Sequence, residues 1–346
     1  MSHVYLDWNA AAPLRPEARH AMILAMDVVG NPSSVHRYGR KALAILETAR
    51  LQIKSALGAE SADIVFTSGA TEGACLALKE REIHCADIEH DAVAAWCHTD
   101  LLLQAGRVVV AEPKLSALQA ANSETGVLQT GFDQIAVCDA VQAFGKIPFA
   151  FDWSGAQMAL LSAHKLGGPK GVGAVVLQQG LELNAQIKGG GQESGRRSGT
   201  ENIIGIAGFG AAAKAAQRDL DNGLWEPVRE LRDALETRLA DTASDAIFVG
   251  RGAGRLPNTS CIAVPGWKGE TQVMQMDLAG YAVSAGSACS SGKVKSSRVL
   301  AAMGFDEVTA SSAIRVSFGP ETTTDEVMGF ADAWITQYKK FKARAA

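Results

Sequence analysis

Short, continuously apolar runs of strand length alternate along this chain with stretches whose apolar residues recur at helical spacing. Ile64-Val65-Phe66, Val108-Val109-Val110, Ile135-Ala136-Val137, Met158-Ala159-Leu160-Leu161 and Val175-Val176-Leu177 are the strand candidates. Runs of this kind suit strands covered on both faces. Arg40 to Leu57 predicts a helix, and Gly58 stands where a C-terminal glycine cap belongs. Further helical patterns cover Ala74 to Glu80 and Gly205 to Asp219. The alternation predicts an α/β fold with a large, mainly parallel sheet between helices.

Around Asp221-Asn222-Gly223 the alanine-rich pattern gives way to a charged helix, Trp225 to Ala240. Shorter strands follow near Phe248 and Cys261-Ile262-Ala263-Val264. A domain boundary is therefore expected there. With 346 residues, 47% hydrophobic and 20% charged, the chain can bury a large core and divide in two. A net charge of -4 and a pI near 6.0 give no electrostatic reason for nucleic-acid binding.

The first residues carry Asp7 and Asn9 with no basic flank and apolar run, so neither a signal peptide nor an anchor is expected. No apolar stretch reaches bilayer length, and a cytoplasmic protein with no membrane partner is predicted. Cys75, Cys85, Cys97, Cys138, Cys261 and Cys289 are scattered, without the spacing of a metal site. Free thiols in a reducing compartment are the simplest expectation.

The chemistry begins at Ser162-Ala163-His164-Lys165, which follows an apolar strand and precedes the glycine-rich Leu166 to Gly173. Strand ends of this type bind ligands in α/β folds, and a lysine there is a Schiff-base candidate as well as an ordinary surface cation. Thr67-Ser68-Gly69-Ala70-Thr71-Glu72-Gly73 joins a strand to a helix start. That arrangement suits a phosphate, or simply an N-cap. Asp139 ends another buried strand and is a candidate to hold a pyridine nitrogen protonated, or to cap a turn. His90 stands at a strand-to-helix junction, where an imidazole can stack on a planar ring or move a proton. Cys289 is embedded in the small and polar residues Ser284 to Gly292, which predict a mobile loop able to carry a thiol to a distant centre.

These residues, in this order, resemble the cysteine desulfurases, pyridoxal-phosphate enzymes of aminotransferase-like fold in the branch serving nitrogenase and iron–sulfur cluster assembly. Beyond the segments above, the resemblance rests on Tyr5-Leu6-Asp7, Gly30 to Ser34 with His36, Gly189-Gly190-Gly191, Arg197-Ser198-Gly199-Thr200 and Ser311 to Arg315. It implies a large cofactor-binding domain over 14–221 and a small α+β domain from 1–13 and 222–346. It further implies that Lys165 carries pyridoxal 5'-phosphate, Asp139 faces the ring nitrogen, Gln142 the ring hydroxyl, and His90 the ring. Ala70, Thr71, Ser162 and His164 resemble the phosphate cup. Thr200 resembles a residue lent to that cup by a second subunit, hence a homodimer. Arg315 matches the arginine that grips the substrate carboxylate, and Asn31 is carried over as a second substrate contact.

The implied reaction removes sulfur from L-cysteine, leaving L-alanine and a persulfide on Cys289 for an iron–sulfur scaffold or other acceptor protein. Nucleophilic attack requires Cys289 as thiolate. Another pyridoxal-phosphate lyase or transaminase, such as a selenocysteine lyase, and a non-catalytic sulfur-transfer scaffold are the alternatives. The chain departs from the family pattern at Asn122-Ser123-Glu124-Thr125-Gly126, where Ser123 replaces an asparagine near the cofactor hydroxyl. It also departs at Gly73-Ala74-Cys75, at Gln192, where a histidine is common, and in shorter stretches before Asn122 and Asp139.

Overall fold

A computed structural model describes residues 3–104, 106–286 and 296–345. Its main sheet contains β1 (Asp63–Thr67), β2 (Ala117–Gln119), β3 (Val137–Asp139), β4 (Met158–Ser162) and β5 (Gly173–Leu177), in spatial order β1-β5-β4-β3-β2. The pairings β4–β3 and β3–β2 are parallel, whereas β5 runs antiparallel to both β1 and β4. The expected α/β architecture is present, with a mixed sheet. Because β1 is antiparallel to β5, it points the same way as β4. Four strands therefore finish along one edge, at Thr67, Gln119, Asp139 and Ser162.

Side chains alternate across this sheet as a two-residue period requires. Ile64, Phe66, Leu161 and Val176 face one buried cluster with Leu46, Ile53 and Phe209; Val65, Leu160, Val175 and Leu177 face another with Leu76 and Leu78. The first face is covered by α2 (Arg37–Leu57) and α5 (Ile203–Asp221), the second by α3 (Ala70–Leu78). In α2 the His36 side chain accepts from Gly39 N–H, and Gly58 closes the helix at φ 58° and ψ 50°, the left-handed cap expected from sequence. Gly210 lets α5 lie against α2, because a Cβ there would come within 2.6 Å of Ala49 Cα. Preceding α2 is α1 (Pro16–Met26), and α4 (Asp91–Ala94) is a single turn.

A second sheet, all antiparallel, has the order β6-β7-β9-β8, from β6 (Ile247–Phe248), β7 (Thr259–Ala263), β8 (Ser284–Ala285) and β9 (Ala313–Ser317). It packs with α6 (Trp225–Ala240) and α7 (Thr324–Ala345) around Ile262, Ile314, Leu235 and Trp334, and Leu6 and Trp8 join the same cluster. The N-terminal segment follows this sheet, since Trp8 N–H donates to Ser317 O, then crosses to the first sheet, where Ala12 N–H donates to His164 O.

Two strand expectations need correction. Only Arg107–Val108 of the valine run is extended, in a hairpin with Leu103–Gln104 outside both sheets, and Val109 is exposed. An apolar run alone does not tell a sheet strand from a surface hairpin. Ile135 and Ala136 are buried, but their N–H groups bond to turn carbonyls, so pairing starts at Val137. Among the described residues no helix is long and apolar enough to cross a membrane. Cys75, Cys85, Cys97, Cys138 and Cys261 are free thiols.

Candidate active site

The common edge of β1 to β4 opens into a cavity of about 480 Å³. Its lining includes Ala70, Thr71, His90, Ser123, Asp139, Gln142, Ser162, His164 and Lys165. Thus nine residues singled out from sequence, spread from Ala70 to Lys165, meet at one surface. Strand polarity produces this convergence, because each strand delivers its last residue and the following turn to the same side.

Lys165 sits in a turn of 3₁₀ helix, Ala163–Lys165, immediately after β4. Its Nζ donates to the carbonyls of Asn9 at 2.7 Å and Ala10 at 3.0 Å, in the segment crossing between the sheets. The turn depends on glycine: a Cβ on Gly168 would lie 2.9 Å from the Ala163 carbonyl oxygen, and Gly167, at φ 86°, would meet Arg15.

Asp139 Oδ1 accepts from Val141 N–H at 3.0 Å. Burial pushes its carboxyl up, against the opposing pull of His90 and Lys165. Beside it, Glu89 is raised further by burial and by the Asp139 charge, and its Oε1 accepts from Gln119 N–H at 2.6 Å. His90 caps α4, its Nδ1 accepting from Ala92 N–H at 3.1 Å. In the neutral ring that assigns the proton to Nε2.

On the other side, the first turn of α3 presents backbone N–H groups at Ala70 and Thr71. Glu72 reaches back to Ser68 N–H at 2.8 Å and pairs with Arg197 at 2.7 Å, which takes up its charge. His164 is held near pKa 4 by burial and by the charges of Lys165, Lys170 and Lys146, and its Nδ1 is a buried nitrogen without a hydrogen-bond partner among the described residues. A neutral imidazole beside helix N–H groups and cations is an anion-binding set. The orphaned nitrogen, the half-buried Asp139 and Lys165, both lining the cavity, together fit the phosphate, ring nitrogen and aldehyde of pyridoxal phosphate.

Arg315, on β9, does not line the cavity. It stands one carbonyl behind it, donating to Ser123 O at 3.0 Å and to Asp7 Oδ1 at 2.7 Å, while its buried Nε has no hydrogen-bond partner among the described residues. Asn31 is exposed, and its Oδ1 closes a turn with Ser33 N–H. Thr200 lines a separate recess with Arg197 and Asn202, and Gln192 braces the adjoining Gly199 N–H. In this single chain neither Asn31 nor Thr200 joins the cavity. Cys289 lies outside the described residues.

Several site residues escaped the sequence reading. Gln119, Lys170 and Gly171 line the cavity. Asn9 is fully buried, and its carbonyl receives both Lys165 Nζ and Gln142 Nε2. The signal for Gln119 was its place at a strand end. For Asn9 there was none, because its partners are 133 and 156 residues away.

The aminotransferase class-V family model matches residues 4–101 and 99–330. A cysteine desulfurase of Cereibacter sphaeroides is 39% identical, covering 94% of this chain and 93% of its own. Cysteine desulfurase IscS of Dictyoglomus turgidum is 35% identical, covering 94% and 91%. Among solved structures, the NifS-like protein from Rickettsia africae superposes with a TM-score of 0.87 at 31% identity, covering 97% of this chain and 99% of that one.

Proposed function

This chain belongs to the aminotransferase class-V family and is a cysteine desulfurase, and from that premise we propose how its residues divide the work. The observation carrying the reading is the meeting of Lys165, Asp139, His90 and His164 on one cavity. Lys165 would hold pyridoxal 5'-phosphate covalently, with Asp139 at the ring nitrogen, Gln142 and Ser123 at the ring hydroxyl, and His90 over the ring. Thr71, Ser162, His164 and the N–H groups at Ala70 would take the phosphate. When bound, that group supplies an electron sink for the charge left by loss of the substrate α-proton.

The protein side follows from the groups present. Lys165 and His90 are the proton carriers at the cavity wall, and Arg315 becomes the carboxylate anchor only by releasing its present bonds to Ser123 O and Asp7 Oδ1. Sulfur passes from substrate to the Cys289 thiol. A C–S bond breaks, an S–S bond forms, and the hydrogens of the two thiols are shared between the alanine methyl and the persulfide. No external oxidant or reductant enters. The persulfide sulfur then goes to an iron–sulfur scaffold or another acceptor protein.

A homodimer is part of the proposal. Ile23, Leu24, Met26, Val29, Val35 and Tyr38, on α1, the segment that holds Asn31 and the first turn of α2, are all more than half exposed, the least being Ile23 at 53%. Such a patch favours burial against a second copy, with Thr200 then placed to reach the neighbour's phosphate site. The two buried clusters around Leu161 and Ile314 support the division into 14–221 and 1–13 with 222–346. Alanine release from cysteine tests the whole reading. Wild-type protein loaded with the cofactor releases alanine and the Cys289→Ser variant does not; equal release from both refutes the role of Cys289.

A further inference from the structure

Lys146 is 2% exposed, yet it enters no ion pair among the described residues. Its Nζ donates to two neutral oxygens, Asn9 Oδ1 at 2.9 Å and Gln142 Oε1 at 2.6 Å. Enclosing an amine away from carboxylates is costly, and a methionine would fill similar space without that cost. Both acceptors belong to residues that touch the site. Gln142 lines the cavity, and the Asn9 main-chain carbonyl receives Lys165 Nζ.

The bonds around these two residues admit one arrangement. Gln142 Oε1 is turned to Lys146, so its Nε2 points to Asn9 O at 3.0 Å and keeps a second hydrogen for the cavity. Reversing the amide sets Oε1 against the Asn9 carbonyl, oxygen to oxygen. Asn9 is fixed in turn: Oδ1 accepts from Lys146 and from Asn258 Nδ2 at 3.1 Å, Nδ2 donates to Thr259 Oγ1 at 2.8 Å, and its N–H donates to Ser317 Oγ at 3.0 Å. Burial, with Lys165 and Arg315 as neighbouring cations, drives Lys146 toward the neutral amine.

We propose that Lys146 is a positioning residue of the reaction: it sets the Gln142 amide so that nitrogen, not oxygen, faces the cavity, and through Asn9 it fixes the carbonyl that receives Lys165. This rests on the proposed reading of Gln142 as the partner of the cofactor's ring hydroxyl. Loss of Lys146 leaves Gln142 Oε1 without its donor and removes one of the two bonds that orient the amide, the other being Nε2 to Asn9 O.

The test uses the enzyme loaded with pyridoxal phosphate in four forms: wild type, Lys146→Met, Gln142→Leu and the double variant. The pH midpoint of the visible absorbance is expected to move by about one unit in Lys146→Met. Its kcat falls about tenfold while KM for cysteine stays within about twofold. The double variant shifts the midpoint no further than Gln142→Leu, because both changes act through one amide. A shift in Gln142→Leu with none in Lys146→Met overturns the proposal and leaves the reading of Gln142 standing. No shift in Gln142→Leu removes that reading and the proposal with it, and an additive double variant overturns the proposal alone. Should Lys146→Met fail to fold, Lys146→Gln, which keeps an N–H donor, is expected to move the midpoint less than Gln142→Leu does; a shift as large as that of Gln142→Leu counts against the proposal.

Discussion

The cavity has two unlike walls. One is made of strand ends and the turns after them, with Asp139, Ser162, His164, Lys165 and the start of α3. The other is a crossing segment, Asn9 to Ala11, backed by side chains from the second sheet, including Thr259, Arg315 and Ser317. The first wall supplies groups whose chemistry depends on what enters the cavity. The second supplies fixed hydrogen bonds that aim those groups. Reactive groups can thus be set by short local segments, whereas aiming them takes contacts between parts of the chain that are hundreds of residues apart.

The largest effect should come from the first wall. Lys165→Ala is expected to lower alanine release at least about a thousandfold and to abolish the visible absorbance that wild-type protein gains with pyridoxal phosphate. Retention of that absorbance breaks the assignment of Lys165.

Asp139→Asn should cost about a hundredfold in kcat, and it also separates function from stability. Burial raises the Asp139 carboxyl from its ordinary 3.8. Folded protein therefore keeps this proton after unfolded protein has released it, and stability falls as pH rises through that window. Asparagine removes the penalty. Cofactor-free Asp139→Asn should melt a few °C above wild type near neutral pH, with the gain shrinking toward acid. A lower Tm at neutral pH contradicts the cause given for the shift.

The smallest of these effects comes from Glu124, next in the chain to Ser123 of the cavity lining. Glu124 is buried, its carboxyl pushed up to about 7, with Ser297 Oγ donating to Oε2 at 2.8 Å. Among the described residues its Oε1 has no hydrogen-bond partner, and it lies beside Gly286, where a Cβ would collide with it. Between the usual 4.5 and 7 the folded state holds the proton and the unfolded state does not, so stability again falls as pH rises. The Tm of Glu124→Gln minus that of wild type should grow by a few °C from about pH 5 to about pH 8. A difference independent of pH would mean that Glu124 does not titrate as described.

The difference between the walls also explains what the sequence revealed. The strand, turn and helix start of Met158 to Lys165 and Ile64 to Gly73 read correctly because these elements are consecutive, so the local pattern carries the structure. The helix Arg37–Leu57 was legible through its apolar spacing and Gly58. Asn9 and Lys146 were not legible: nothing near either residue in the chain differs from an ordinary polar surface position, and their meaning lies in each other and in Gln142. Arg315 was identified by resemblance alone, and its placement behind Ser123 depends on a β-sheet pairing that its own segment does not announce. The antiparallel course of β5 was equally hidden, since an apolar run has no direction.

The central claim is that sulfur leaves cysteine at the Lys165 cavity and is received by Cys289. Intact-protein and peptide mass spectrometry after brief incubation of the loaded enzyme with cysteine measures this directly. The account predicts one added sulfur on the Cys289 peptide in wild type and none in Lys165→Ala. Alanine release by wild type with no sulfur gained at Cys289, or sulfur gained there equally in Lys165→Ala, would contradict it.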